Sequence, residues 1–335
     1  MKNIPVFAFF VSIFMFFSVC PVLHADAEKK IIPLRENNLF FVTLSTGFLY
    51  GQAEEIVYSG ADTDNYISQL LWDMKPLFYM GSSLEYCRHK AENRPGFFAS
   101  LSVKFGIPSK SGIMEDRDWV SPDNAYLTHF SSHKNYTDGA VLLDLKGGFS
   151  FPVRERHGLK LYAILSYMHF KWTARDGYYQ YADRIGVTDY FNPWDSSIPK
   201  TTLHGPAIAY SQDWLALMFG ASFLLRFNGF FGTEFACHVG PVILCVARDD
   251  HFQRKLQFSD YMTGGICVEP ALKFIFSPWN RVDFTFHVSY RYVGGTRGYA
   301  IQTDTYTGNE TGPYKDSAGA GLSVMEAGLS FKVFF

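Results

Sequence analysis

Beyond its N-terminal segment, the sequence has no long apolar run. No stretch downstream of Val19 reaches the ~20 apolar residues that a membrane-spanning helix needs. The mean hydropathy of −0.03 likewise excludes a helical membrane protein. The formal net charge is only −2 and no basic stripe is visible, which argues against nucleic acid as a partner.

Signatures of serine, cysteine and metal chemistry are also missing. The sequence has no Gly-x-Ser-x-Gly nucleophile elbow and no Cys-x-x-Cys spacing. Four cysteines follow the N-terminal segment, and we interpret them as strand residues, with at most one disulfide among them: Cys87, Cys237, Cys245 and Cys267. We therefore expect neither a cofactor nor a dedicated metal site.

The N-terminus has the pattern of a secretory signal peptide. Lys2 supplies a positive charge, residues 4–19 are almost wholly apolar, and residues 25–27 fit a cleavage site. We therefore predict a signal peptide at residues 1–27 and a mature domain at residues 28–335. The alternatives are an uncleaved membrane anchor, which the short apolar run disfavours, and a lipidated Cys20, whose neighbours fit the lipidation motif poorly.

Aromatic residues are abundant, with 33 Phe and 20 Tyr. They recur in alternating patterns, most clearly at residues 281–292, where every odd position is polar and every even one apolar. Residues 97–107 and 141–151 repeat this alternation. A soluble sandwich also alternates, but a secreted chain this rich in aromatic residues favours a closed transmembrane barrel, in which every backbone group is paired.

The breaks between these runs differ in length. Short breaks alternate with longer polar segments, as periplasmic turns alternate with extracellular loops; the long segments are 59–65, 112–133, 177–204, 249–254 and 298–318. The runs predict an all-β fold, a ten-stranded antiparallel transmembrane β-barrel whose last amphipathic strand ends at Phe335. Inward-facing residues such as Lys104, Asp144 and Arg291 would fill the lumen, and ten strands are too few for an open channel.

Two acidic clusters follow strand-like runs on the side of the long loops. The first is MEDRDW (residues 114–119), which carries Asp116 and Asp118 after the third strand. The second is DDH (residues 249–251), which carries Asp249 and His251 after the seventh strand. The third and seventh strands of a ten-strand ring lie nearly opposite, so we expect the two clusters to face each other across the barrel mouth.

These residue types fit hydrolysis by an activated water. His251 can accept a proton from water, while Asp249 orients its ring and stabilises the imidazolium. Asp116 and Asp118 repel each other, so one of them should keep a proton and be able to donate it to an oxyanion or a leaving amine. Taken alone, either cluster would be interpreted as a solvated acidic loop or a weak cation site.

The two clusters resemble motifs of the omptins, outer-membrane proteases of Gram-negative bacteria. Residues 114–119 resemble the family's Met-x-Asp-x-Asp-Trp motif, and residues 249–252 (DDHF) resemble its Asp-Glu-His-Tyr motif. Weaker similarity occurs at 55–58, 68–70, 173–175 and 271–281. The resemblance implies an endopeptidase that acts on polypeptides at the cell surface, with a catalytic set of Asp116, Asp118, Asp249 and His251.

Other features of the family are altered in this sequence. Omptins cleave beside basic residues, which bind in an acidic pocket; Glu55 matches one pocket acid, but Ala247 occupies the position of the other. Omptins also require lipopolysaccharide, yet residues 167–171 (YMHFK) and Asp213 do not form an intact phosphate-binding set. Basic preference and activation by this outer-membrane lipid are therefore open questions.

Two other functions are alternatives. The barrel could act mainly as an adhesin that binds host proteins with weak or no proteolysis, although the four retained catalytic residues argue against this. The second alternative is a small-solute pore, which the narrow ten-strand barrel disfavours.

Overall fold

The fold is known from a computed structural model that describes residues 38–60, 65–88, 95–153, 157–279 and 281–335. The predicted signal peptide and residues 61–64 of the predicted loop at 59–65 lie outside the described residues. Within those ranges, no helix is long and apolar enough to span a membrane. The helical content described is one 3-10 turn at Pro122–Asn124.

Strands account for most of the described residues, and every pairing is antiparallel. In chain order they are β1 (Asn38–Tyr58), β2 (Tyr66–Arg88), β3 (Gly96–Gly106), β4 (Ser109–Asp118), β5 (His129–Val153), β6 (His157–Tyr181), β7 (Thr201–Arg226), β8 (Phe231–His251), β9 (Leu256–Thr263), β10 (Ile266–Trp279), β11 (Val282–Gly294), β12 (Arg297–Asp304) and β13 (Glu310–Phe334).

Across the described ranges these strands form a closed ring with ten positions. Three positions are split, because β3 continues as β4, β9 precedes β10, and β11 continues as β12. The ring closes where β1 pairs with β13, from Phe41 opposite Phe334 to Val57 opposite Ala318. The predicted ten-stranded barrel is therefore confirmed.

The alternation in the sequence separates an apolar outer face from a polar inner face. On β3, Phe97, Leu101 and Phe105 are 44–55% exposed on the outer face. Lys104 points inward, where its Nζ lies 2.5 Å from Oε1 of Glu326. Since apolar side chains are favourable only where lipid replaces water, the outer face forms the membrane-facing band.

The lumen is crossed by charge pairs, as the inward polar residues predict. Nε2 of His287 lies 2.8 Å from Oε1 of Glu326, the same carboxylate that Lys104 contacts. Nη2 of Arg291 lies 2.5 Å from Oε2 of Glu269. A buried charge is tolerated only when it is paired, so these contacts let a polar lumen exist inside an apolar band.

The strands extend well beyond the membrane on one side. β8 has 21 residues, which at the usual rise and tilt span about 50 Å, roughly twice the ~25 Å apolar band. The short turn before Phe231 marks the periplasmic end. The opposite end, which carries Asp249 and His251, therefore lies outside the membrane-spanning segment.

This extension corrects the prediction that the acidic clusters lie in loops. Asp116 and Asp118 belong to β4, and Asp249 and His251 belong to β8. Above the membrane a strand no longer needs an apolar outer face, so its sequence loses the alternation that marks a strand while its hydrogen-bond ladder continues. Much of the predicted loop sequence at 112–133 and 298–318 is strand for the same reason, whereas 177–204 is strand only at its two ends, 177–181 and 201–204.

Candidate active site

Asp116 and Asp118 are held in place by strands on both sides of β4. Residues two apart share a face of a strand, and both carboxyls point to the inner face with the buried Met114. Asp116 lies opposite Leu70 of β2 and Ser131 of β5. Because ladders on both flanks fix β4, the two carboxyls are positioned by regular sheet.

The Ser68 hydroxyl lies within hydrogen-bonding reach of both carboxyls. Ser68 is the cross-strand partner of Asp118 on β2, and His129 is its partner on β5. The Thr128 hydroxyl lies 2.8 Å from Nδ1 of His129, which fixes the orientation of that buried ring. Polar groups on two neighbouring strands thus surround the Asp116–Asp118 couple.

Asp249 and His251 form a close pair on the opposite wall. Oδ2 of Asp249 lies 2.5 Å from Nε2 of His251, and the Asp249 side chain is 2% exposed. The His251 ring packs edge-on against Phe258, with the ring centroids 5.6 Å apart. The aspartate can therefore set the tautomer of the histidine, whose other ring nitrogen is left for a proton acceptor role.

Electrostatic interactions join the two walls. Burial raises the pKa of Asp116 well above its usual value, and the charges of Asp118 and Asp249 raise it further. Burial also raises the pKa of Asp118, while Ser68, Arg254 and His251 oppose that shift. Asp116 thus lies near Asp249, and Asp118 lies near His251, as expected for clusters that face each other across the mouth.

Glu55 lies beside the same cleft. Its side chain is 2% exposed on β1, and Leu70 separates it from Asp116 along the sheet register. Burial raises its pKa well above the usual value, followed by the charges of Asp249, Asp260 and Asp116. The structure therefore brings the predicted pocket acid together with the four predicted catalytic residues.

Ala247 is also on the inner face, 1% exposed, two residues before Asp249 on β8. Its direct cross-strand partner is Asp260 of β9. Asp260 is 5% exposed, and its pKa is raised to about 7, first by burial and then by the charge of Asp249. The Asp260 carboxyl therefore lies next to Ala247, the position at which the sequence lacks the second pocket acid.

Three functional neighbours were missed by the sequence interpretation: Arg254, Tyr181 and Asp260. The positive charge of Arg254, in the turn after β8, partly offsets the rise in the pKa values of Asp116 and Asp118. The ring of Tyr181 lies 4.4 Å from that of His129 and near the Asp116–Asp118 couple. None of the three lies in a recognisable motif; strand pairing identifies Asp260 and Tyr181, and the turn between β8 and β9 identifies Arg254.

The four cysteines in the described strands form no disulfide. Cys87, Cys245 and Cys267 are buried and Cys237 is exposed, all four as free thiols. Among the residues that the structure describes, no group of three or more His, Cys, Asp or Glu side chains is placed to hold a metal ion.

On the barrel exterior, Asp213 is held by two donors from β6. The Tyr167 hydroxyl donates to Oδ1 of Asp213 at 2.6 Å, and Nδ1 of His169 lies 2.9 Å from the same oxygen. Lys171 follows on the same face. An exposed carboxylate therefore lies at the centre of this group.

Comparison with known proteins agrees with the fold and with the family that the sequence resembles. A plasminogen activator of Yersinia pestis is 25% identical over 244 residues, which cover 71% of each chain. The outer membrane protease OmpT of Escherichia coli has a similar structure, with a TM-score of 0.78 at 16% identity, and the match covers 90% of this chain and 97% of that one. The Omptin family model matches residues 36–333. The chain therefore belongs to the Omptin family, and its barrel is an outer-membrane β-barrel.

Proposed function

We propose that this protein is an outer-membrane endopeptidase whose active site faces the outside of the cell. The proposal is that it hydrolyses peptide bonds with a water held between the Asp249–His251 pair and the Asp116–Asp118 couple. The observation that carries it is that Asp249 of β8 lies close enough to Asp116 of β4 for its charge to raise the pKa of Asp116, after burial and the charge of Asp118. Membership of the Omptin family supports the same activity.

His251 acts as the general base in this proposal. It removes a proton from the water as the oxygen attacks the peptide carbonyl, and Asp249, 2.5 Å away, stabilises the imidazolium that forms. General base assistance of this kind contributes typically ~10²–10⁴-fold to the rate. No covalent bond between enzyme and substrate is needed, since the water is the nucleophile.

The Asp116–Asp118 couple supplies the acid. The raised pKa of Asp116 means that the couple keeps a proton at a pH where an ordinary aspartate has lost it. That proton can be donated to the oxyanion or to the leaving amine. Ser68 orients both carboxyls, and Arg254 adds positive charge on the same side of the cleft.

The proposal is tested by incubating the purified, refolded barrel with a peptide library and identifying the products by mass spectrometry. We expect cleavage by the wild type and none above background by His251→Ala. His204→Ala is the matched control, because His204 is exposed on β7 and has no part in the proposed site. Cleavage by His251→Ala at the wild-type rate, or no cleavage by either protein, would overturn the proposal.

A second candidate function is binding of a host protein by the extracellular surface. Exposed apolar side chains support it, since Val187, between β6 and β7, is 102% exposed and Tyr306, between β12 and β13, is 81% exposed. If adhesion were the main activity, His251→Ala would bind the partner as well as the wild type does while neither cleaved peptides. One protein can both bind a polypeptide through these loops and hydrolyse it in the cleft. Binding and cleavage are therefore measured separately for the wild type and for His251→Ala.

A further inference from the structure

Asp260 occupies a distinctive place in the wall of the cleft. It lies directly opposite Ala247 on one side and Ala300 on the other, and both alanines are buried on the inner face. Since residues directly opposite each other share a face of a sheet, the Asp260 carboxyl projects inward between two methyl groups. No bulky side chain therefore lies directly opposite Asp260 on either neighbouring strand.

Glu55 reaches the same space from β1. The charge of Asp260 raises the pKa of Glu55, so the two carboxyls lie close enough to interact. Burial raises the pKa of Tyr210, the residue opposite Asp249 on β7, and the charges of Glu55 and Asp260 raise it further. Tyr210 stacks on Trp72 with ring centroids 5.2 Å apart. The carboxyls of Glu55 and Asp260 thus lie near the stacked rings of Tyr210 and Trp72.

Buried oxygens in this space lack partners. Within the described residues, Oε2 of Glu55 and Oδ1 of Asp249 are buried without a hydrogen-bond partner, and both side chains are only 2% exposed. The largest charge effects on Glu55 come from other carboxylates. Leaving such groups unpaired costs free energy, so an arrangement of this kind is suited to a cationic group that arrives with a ligand.

We propose that Asp260 is a specificity-determining residue, which with Glu55 forms the acidic pocket for a basic side chain of the substrate. The carboxyl that is missing at Ala247 is thereby supplied from the neighbouring strand. This inference rests on the proposed peptidase function. It predicts that the chain keeps a preference for a basic residue beside the cleaved bond despite the alanine at 247.

The test compares two peptides that differ at one position beside the cleaved bond, arginine in one and its neutral isostere citrulline in the other. The quantity measured is the ratio of their kcat/KM values. Asp260→Asn should lower this ratio at least ~10-fold, because the cationic side chain of the arginine peptide loses a charged partner that citrulline never had. Moving the acid back, in the double variant Ala247→Asp with Asp260→Asn, should restore the ratio.

Asp250→Asn is the matched control, since the Asp250 side chain points to the outer face and binds Gln257. An unchanged ratio in Asp260→Asn, or an equal loss for both peptides, would overturn the inference. If the wild type cleaves neither peptide, the proposed peptidase function fails. The acidic pocket is then tested separately, by measuring the Kd of fluorescent forms of the two peptides for the wild type and for Asp260→Asn. If Asp260→Asn binds the arginine peptide more weakly than the wild type does and binds the citrulline peptide equally well, the inference is supported. If the wild type binds both peptides equally well, the inference is overturned.

Discussion

Oδ2 of Asp249 lies 2.5 Å from Nε2 of His251, and the next residue along the strand, Asp250, points to the opposite face of the barrel wall. One strand therefore carries two adjacent aspartates in contrasting environments. Asp249 is 2% exposed beside the cleft, whereas Asp250 accepts a hydrogen bond from the Gln257 side chain. The same substitution at Asp249 and at Asp250 therefore compares two neighbouring aspartates of which only Asp249 faces the cleft.

Asp249→Asn should lower kcat by ~10²–10⁴-fold, because the histidine loses the group that fixes its tautomer and stabilises its charge. Asp250→Asn should leave kcat within about 2-fold of the wild type, because its side chain does not reach the cleft. Steady-state cleavage of the best library peptide measures both values. Equal losses in the two variants would show that the effect is structural.

The preference for a basic side chain should depend on pH. The pKa of Asp260 is raised to about 7, so this carboxyl is mostly neutral at pH 6 and mostly ionised at pH 8. The groups that face it are Glu55, Asp249, Tyr210 and Cys245. The ratio of kcat/KM for the arginine peptide to that for the citrulline peptide should therefore rise from pH 6 to pH 8. In Asp260→Asn the rise should be absent or much reduced, and a rise equal to that of the wild type would contradict this assignment.

Asp260 should also make the barrel less stable as the pH rises. An acid whose pKa is higher in the folded than in the unfolded state binds more protons when folded, so stability falls between the two values. For a change from 3.8 to about 7 the loss is at most about 4 kcal/mol. We expect Asp260→Asn to unfold at a higher temperature than the wild type at pH 8, with a smaller difference at pH 4. A thermal melt followed by circular dichroism measures this, with Asp250→Asn as the control, and the same difference at both pH values would contradict the prediction.

Lipopolysaccharide should activate this protein weakly. Asp213 is engaged by Tyr167 and His169 on the exterior, and its exposed carboxylate repels lipid phosphate. Adding lipopolysaccharide to the detergent-solubilised protein should change kcat less than about 2-fold. Asp213→Arg removes the repulsion and adds a bidentate phosphate donor, so this variant should bind lipopolysaccharide more tightly in a vesicle co-sedimentation assay. Strong activation of the wild type would contradict the prediction.

Much of the barrel is predictable because lipid imposes alternation. The runs at 97–107 and 281–292 show their outward faces directly, and the ring of ten follows from the number of such runs. The limits of the strands are not predictable in this way. The residues of β4, β9 and β12 lie above the membrane, where both faces tolerate polar side chains and the period-two signal fades.

The four residues predicted to be catalytic were found because they occur in compact motifs. Asp260 was not found, because it belongs to no motif and its place beside the cleft depends on its cross-strand partner, Ala247. The register of β8 and β9 is set by the tight turn at 252–255, which places His251 opposite Leu256 and hence Ala247 opposite Asp260. Had that turn been located in the sequence, the cross-strand partner of Ala247 would have followed from counting.

The central claim is that two acidic walls act together on one water, and a double-mutant comparison tests it most directly. The measurement is kcat for Asp116→Asn, His251→Ala and the variant that carries both changes. Groups that act as one unit do not contribute additively, so each single variant should lose at least ~10²-fold and the double variant little more than the worse single one. Losses that multiply in the double variant, or activity within about 10-fold of the wild type in either single variant, would contradict it.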